Sequence, residues 1–197
     1  MDGAWALYEA WVRLQHGDID SALVYAFGQA SQGDLHEVLT QQLDPYYLTP
    51  LGPDHVSLAA LQARTMLDEG LCDERALAEV VARSRRNALD NPNAQIRERL
   101  EADAAIAAPY SVAPLRGHDH PPASDGAAAM VLMAGDRARE VVENPVWIRG
   151  IDHRIEAHGL GVRDLTQSSS TRLAAERAGA LGKSFDVAEL QVYASCM

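Results

Sequence analysis

The sequence predicts an α/β fold. Two nearly continuous apolar runs, Ala22–Phe27 and Ala128–Ala134, have the length and composition of strands. Helical patterns stand between the strand patterns, the order expected of layered α/β structure. No self-similarity with a period of roughly 20–50 residues is visible, which argues against a solenoid.

Taken in order, Asp2-Gly3 precedes a helix whose Ala4, Leu7, Tyr8, Trp11 and Leu14 share one face, and Gly17 can stop it. Ser21 to Ala30 then reads as a strand covered on both faces. Trp5, Tyr8, Trp11 and Tyr25 are therefore expected in a core or an interface. Asp34 to Gln42 reads as a short helix, and Asp44-Pro45 to Pro53 as a proline-punctuated loop carrying Tyr46 and Tyr47. Ser57 to Glu69 is helical, ended by Gly70. Asp73 caps a helix to about Ala88, with Leu77, Val80, Val81 and Ser84 turned inward. A weaker helical period runs from Arg97 to Ala108, and residues 109–123 are loop. After the strand Ala128–Ala134 comes a polar helix from Gly135 to Val142, broken by Asn144-Pro145. Val146 to Ile155 alternates as a third strand, a helix lies near Thr171–Ala178, and Val187–Leu190 begins a fourth strand.

Composition narrows the function classes. Among 197 residues, 47% are hydrophobic and 23% charged, which suits a packed core. The 17 basic residues face 28 acidic ones, a net charge of −11, and this argues against a general nucleic-acid or anionic-membrane binder. Cys72 and Cys196 are far apart and make no disulfide framework, so a reducing, cytoplasmic setting is expected. No apolar run has membrane-span length, and no signal-peptide pattern opens the chain.

Four stretches, in this order, resemble the thiolase superfamily, in its sterol-carrier-protein-x and lipid-transfer branch. They are Gly3-Ala4-Trp5-Ala6-Leu7 with Gly17-Asp18-Ile19-Asp20-Ser21; Asn87 to Gln95 with its Asn91-Pro92; Ser124-Asp125-Gly126-Ala127-Ala128-Ala129; and Asp186-Val187-Ala188-Glu189-Leu190. The resemblance implies a layered αβαβα fold, present here incompletely, as the end of an N-terminal half, a loop domain and the start of a C-terminal half. It places residues 1–134 in the N-terminal half, with 31–123 as the loop domain, and 135–197 at the start of the C-terminal half. It implies acyl-coenzyme-A substrates, carbon–carbon bond making or breaking in lipid or sterol side-chain metabolism, and a homodimer. Coenzyme A enters as thioester substrate, with no resident cofactor.

The site residues that the resemblance carries over are few. The family's nucleophilic cysteine lies three residues before the glycine matched by Gly3, ahead of Met1, and the later histidine and cysteine motifs lie past Met197. Because so apolar a sheet without its partner strands would leave large hydrophobic faces open, the chain is expected to be a portion of a longer enzyme, the alternative being a thiolase-like protein that has changed its chemistry. Gln191 stands where the family has an active-site histidine, and its amide can donate to a thioester oxygen. Arg83, Arg85 and Arg86 are candidates for the coenzyme A phosphates, against the alternative of an exposed helix face.

The departures at Gln191 to Ala194 motivate an alternative: a non-catalytic subunit, or a steroid side-chain retro-aldolase needing a small OB-fold partner. A free-standing interaction module is the third class. Acidic neighbours raise the Cys72 thiol pKa, so it reads as structural. Cys196 has no histidine beside it in sequence. His118-Asp119-His120 has the look of a metal pair but lacks a third ligand, and reads as solvated loop with no metal. His153 and His158 read as rim or surface residues.

Overall fold

A computed structural model describes residues 2–157, 159, 161–190 and 194–196. The chain divides into two compact units. The first comprises Met1–Ala30, Asp125–His158 and Ser168–Asp186; the second comprises Ser31–Ser124, Gly159–Gln167 and Val187–Met197.

In the first unit, α1 (Asp2–His16) leads through Gly17, at φ 76°, into β1 (Ser21–Gln29). β1 pairs antiparallel with β4 (Asp125–Met133), Ser21 opposite Met133 and Gln29 opposite Asp125. Along β1 the even-numbered Ala22, Val24 and Ala26 are the more buried set. Gly3 of α1 comes so close to Ala26 that a Cβ there would sit 2.6 Å from the alanine Cβ. The odd-numbered Leu23, Tyr25 and Phe27 are exposed. The expectation of a strand covered on both faces is thus corrected: alternation is present, but it is concealed because both faces are apolar. Tyr25 is exposed on that outer face and Trp5 of α1 is exposed as well, whereas Tyr8 and Trp11 are half-buried.

β4 feeds α6 (Gly135–Val141), held at its start by Ala134 N–H donating to Asp20 O. Residues 142–157 carry no regular element, so the third strand expected at Val146–Ile155 does not form; nor does a strand at Val187–Leu190. Among the described residues neither segment has a neighbouring strand to complete its backbone hydrogen bonds. α7 (Ser169–Arg177) is capped by Ser168, and the Glu156 carboxylate accepts from the Ser170 N–H at 2.7 Å and from the Ser169 hydroxyl.

The second unit is helical with one small hairpin. α2 (Leu35–Gln41), α3 (His55–Asp68) and α4 (Glu74–Ala88) begin at Asp34, Asp54 and Asp73, whose carboxylates accept from backbone N–H groups one turn on. α5 (Ala102–Ala107) is shorter than the period from Arg97 suggested, and residues 91–101 are irregular. β2 (Tyr110–Val112) and β3 (Leu115–Arg116) form the hairpin, followed by a 3-10 turn at Gly117–Asp119. The core joins Ala59, Ala60 and Ala63 of α3 with Leu77 of α4, Leu115, Ala194 and Cys196, so the end of the chain is part of it. Small residues along α3 allow this close packing.

Candidate functional site

The second unit contains a cleft of about 390 Å³. One wall is α4, whose Val80, Val81 and Ala88 supply apolar surface and whose Ser84 and Arg85 supply polar groups. The facing wall is the run His118 to Pro122, with Ile96, Ala194 and Ser195 closing the ends. An apolar lining with a few placed polar groups is the usual character of a small-molecule site. Ser84, expected to turn inward into the core, is exposed and lines this cleft instead.

The facing wall is built on a buried network. Asp119 is 7% exposed; it accepts from the Arg116 N–H at 2.6 Å and from the Ser195 hydroxyl, and its backbone oxygen accepts from the Ser195 N–H. Arg116, also 7% exposed, donates to Glu74 at 2.7 Å and to Ala108 O at 3.0 Å. Its guanidinium lies 4.5 Å from the centre of the Tyr110 ring, and the Tyr110 hydroxyl donates to the same Glu74 carboxylate. The Arg116 and Tyr110 hydrogen bonds hold the Glu74 carboxyl below the usual carboxylate range, outweighing a burial penalty that pushes the other way. Burial pushes the His120 imidazole below its ordinary pKa, against the nearby Asp119 and Asp54. Its Nδ1 is buried without a hydrogen-bond partner among the described residues, and its Nε2 lies 3.4 Å from the Ser111 hydroxyl. The cleft therefore presents a neutral ring at His120 and the positive charge of Arg85.

The arginine cluster divides across α4. Arg85 lines the cleft, while Arg83 and Arg86 line a separate hollow with Glu79 and Glu101. At about 100° per residue, positions 83 and 86 fall about 60° apart, whereas 85 lies about 160° from 83. None of the three makes an ion pair among the described residues. Gln191 and His158 lie outside the described residues.

Neither cysteine is prepared as a nucleophile. Cys196 is buried with its thiol directed to Ala59 O, and burial pushes its pKa up to about 11. Cys72 is pushed up as well, by burial and then by Asp73. His118, Asp119 and His120 do not assemble a metal site: no group of three or more His, Cys, Asp or Glu able to hold a metal occurs among the described residues. His153 packs edge-on against Trp5 at 4.9 Å. The tie from Ser195 to Asp119 crosses 76 residues, and that from Arg116 to Glu74 crosses 42; no local spacing announces either.

No protein-family model matches the chain. The chain is 33% identical over 130 residues to an acetyl-CoA acetyltransferase of Methanothermobacter thermautotrophicus, a match covering 64% of this chain and 33% of that relative. Among solved structures, the chain of an Ltp2-ChsH2(DUF35) aldolase matches with a TM-score of 0.75 and 19% identity, over 89% of this chain and 47% of its own. Together these findings support a thiolase-like relationship. The solved structure speaks to the fold, and the mixed helix and sheet content agrees with α/β. The chain spans a third of the curated relative and about half of the solved one. Among its described residues no helix is long and apolar enough to cross a membrane.

Proposed function

We propose that this chain is part of a thiolase-like acyl-coenzyme-A acyltransferase of lipid or sterol side-chain metabolism. In this reading the second unit is the part that meets the thioester substrate. The observation that carries the proposal is the cleft, where Arg85 is among the lining residues of a largely apolar pocket in a chain of net charge −11. Its guanidinium would pair with a phosphate of coenzyme A, and Val80, Val81, Ala88 and Ile96 would take the less polar arm. Arg83 and Arg86, on the other side of α4, would add to the local positive field without touching the same group. Gln191 keeps its proposed place as a donor to the thioester oxygen.

The division into an N-terminal half, residues 1–134 with loop domain 31–123, and the start of a C-terminal half, residues 135–197, belongs to this proposal. So do the sterol-carrier-protein-x branch, the homodimer and the cytoplasmic setting. Isothermal titration with acetyl-coenzyme A and a longer acyl-coenzyme A tests it. Binding is expected to weaken about tenfold in Arg85→Ala, the loss of one partly exposed charge-assisted contact. Heat-silent titrations, or equal affinity in the variant, would reject the assignment.

A second reading is motivated by the departures from the family pattern at Gln191 to Ala194. It is a non-catalytic subunit, or a retro-aldolase that works with a small OB-fold partner. The relative solved as an Ltp2-ChsH2(DUF35) aldolase supports considering it. Acetyl transfer by the purified protein alone would exclude this second reading.

A further inference from the structure

The first unit holds a cavity of its own, of about 640 Å³, within the roughly 300–1,000 Å³ usual for small-molecule sites. α1 contributes Trp11 and Leu14 to its lining, β4 contributes Leu132, α6 contributes Ala138, and the irregular segment after α6 contributes Trp147 and Ile148. Leu132 pairs with Ala22, which puts it on the sheet face of the more buried set. Trp147 is held from two sides. The Arg139 guanidinium lies 4.9 Å from its ring centre, and a Cβ at Gly135 would lie 3.6 Å from the same side chain.

A second hollow, of about 310 Å³, shares Trp147 and Ile148 with the first and adds Arg139 and Arg149. The two cations differ. Arg139 is paired with Asp136 at 3.1 Å and rests on Trp147. Arg149 is exposed, and its side chain has no ion pair or hydrogen bond among the described residues. Its backbone is fixed through its neighbour, since a Cβ at Gly150 would fall 2.0 Å from Ala178 O. An apolar cavity thus adjoins one uncommitted guanidinium, in a chain of net charge −11.

We propose that the two hollows together bind an aliphatic carboxylate, its chain in the cavity between Trp11 and Trp147 and its carboxylate on Arg149. Each part of the site selects a part of the ligand. Every methylene buried in the cavity strengthens binding about fourfold. A guanidinium takes a carboxylate through two parallel N–H donors. One carboxylate charge matches one free cation, whereas a phosphate monoester carries nearly two and would need Arg139 to leave Asp136. A cationic amphiphile would meet like charge at Arg139 and Arg149. The site lies wholly in the first unit, so it does not rest on the coenzyme-A reading of the cleft in the second.

Tryptophan fluorescence of the full chain tests it, because Trp11 and Trp147 both line the cavity. The probes are dodecanoate, decanoate, dodecanol and dodecyltrimethylammonium, each kept below its micelle or solubility limit. Dodecanoate is expected to shift the emission saturably and to bind about tenfold more tightly than dodecanol, with the ammonium probe weakest. Decanoate, two methylenes shorter, should bind about tenfold more weakly than dodecanoate. Arg149→Gln, at an exposed position, should bring dodecanoate down to the affinity of dodecanol and leave dodecanol unchanged. Arg85→Ala, in the other unit, should leave dodecanoate binding intact, so a failure here is separable from a failure of the coenzyme-A reading. No saturable shift, equal affinity for acid and alcohol, or a preference for the acid that survives Arg149→Gln would overturn the proposal. Loss of dodecanoate affinity in Arg85→Ala would assign the ligand to the cleft and overturn it as well.

Discussion

Replacing Glu74 by alanine removes the carboxylate that faces Arg116 while leaving the buried guanidinium in place. Arg116 would keep its bond to Ala108 O and its contact with the Tyr110 ring, but lose its 2.7 Å ion pair, and Tyr110 would lose its acceptor. Removing one partner of a fully buried pair costs about 3–5 kcal/mol. Here the Glu74 side chain is 38% exposed, so water can reach the vacated side, and the expected cost falls to about 2 kcal/mol. For a domain of this size that lowers a urea midpoint by roughly 1 M.

Tryptophan fluorescence would miss the change, since Trp5, Trp11 and Trp147 all belong to the other unit. Pulsed hydrogen exchange on α3 and α4 peptides across a urea series reports it directly. The pH dependence supplies a second check. Glu74 titrates below its ordinary 4.5 in the folded chain, so its contribution is present above 4.5 and lost as pH falls through the lowered value. The penalty of Glu74→Ala should therefore be full at pH 7 and fade in acid. The double replacement Glu74→Leu with Arg116→Met should recover most of the loss, because it removes the buried guanidinium together with its partner. A penalty below about 0.5 kcal/mol at pH 7 would show that the Glu74–Arg116 pair does not hold this part of the structure.

Three further outcomes follow from the same structure. Native alkylation of Cys196 by iodoacetamide at pH 7.5 should run about a hundredfold slower than in urea, since a thiol raised from 9.0 to about 11 has that much less thiolate; mass spectrometry of labelled peptides measures it. Gly150→Ala should destabilise the first unit by more than about 2 kcal/mol, read by Trp147 fluorescence, because its Cβ would fall 2.0 Å from Ala178 O; Gly28→Ala, with nothing within 4 Å, serves as the comparison. Arg83→Ala and Arg86→Ala should each change acyl-coenzyme-A affinity by less than about threefold, against about tenfold for Arg85→Ala, as calorimetry would show.

Local chemistry made several elements legible in the sequence. Asp73 before Glu-Arg-Ala-Leu marks the start of α4 because a short carboxylate reaches the N–H one turn ahead, and its Ala76 N–H bond is 2.7 Å. Gly17 and Gly70 end helices at positive φ, as their spacing indicates. The strand expected at Val146–Ile155 failed for a physical reason: a strand is completed by its neighbour, and an apolar alternation cannot say whether one is there. The face exposure of β1 was concealed in the same way. In the cleft, the arginine triplet was visible, but helical angle decides which member faces inward. Asp119, Arg116 and Ser195 were silent because their partners are brought together by tertiary packing.

The cleft lined by α4 and residues 118–122 is proposed to hold an acyl-coenzyme-A thioester. Photolabelling with a benzophenone-bearing acyl-coenzyme A, followed by peptide mapping, tests it most directly. Adducts are expected on peptides containing Val80–Ala88 and His118–Ser124, suppressed by excess coenzyme A and weakened in Arg85→Ala. Adducts confined to the first unit, or labelling that coenzyme A does not compete, would contradict it.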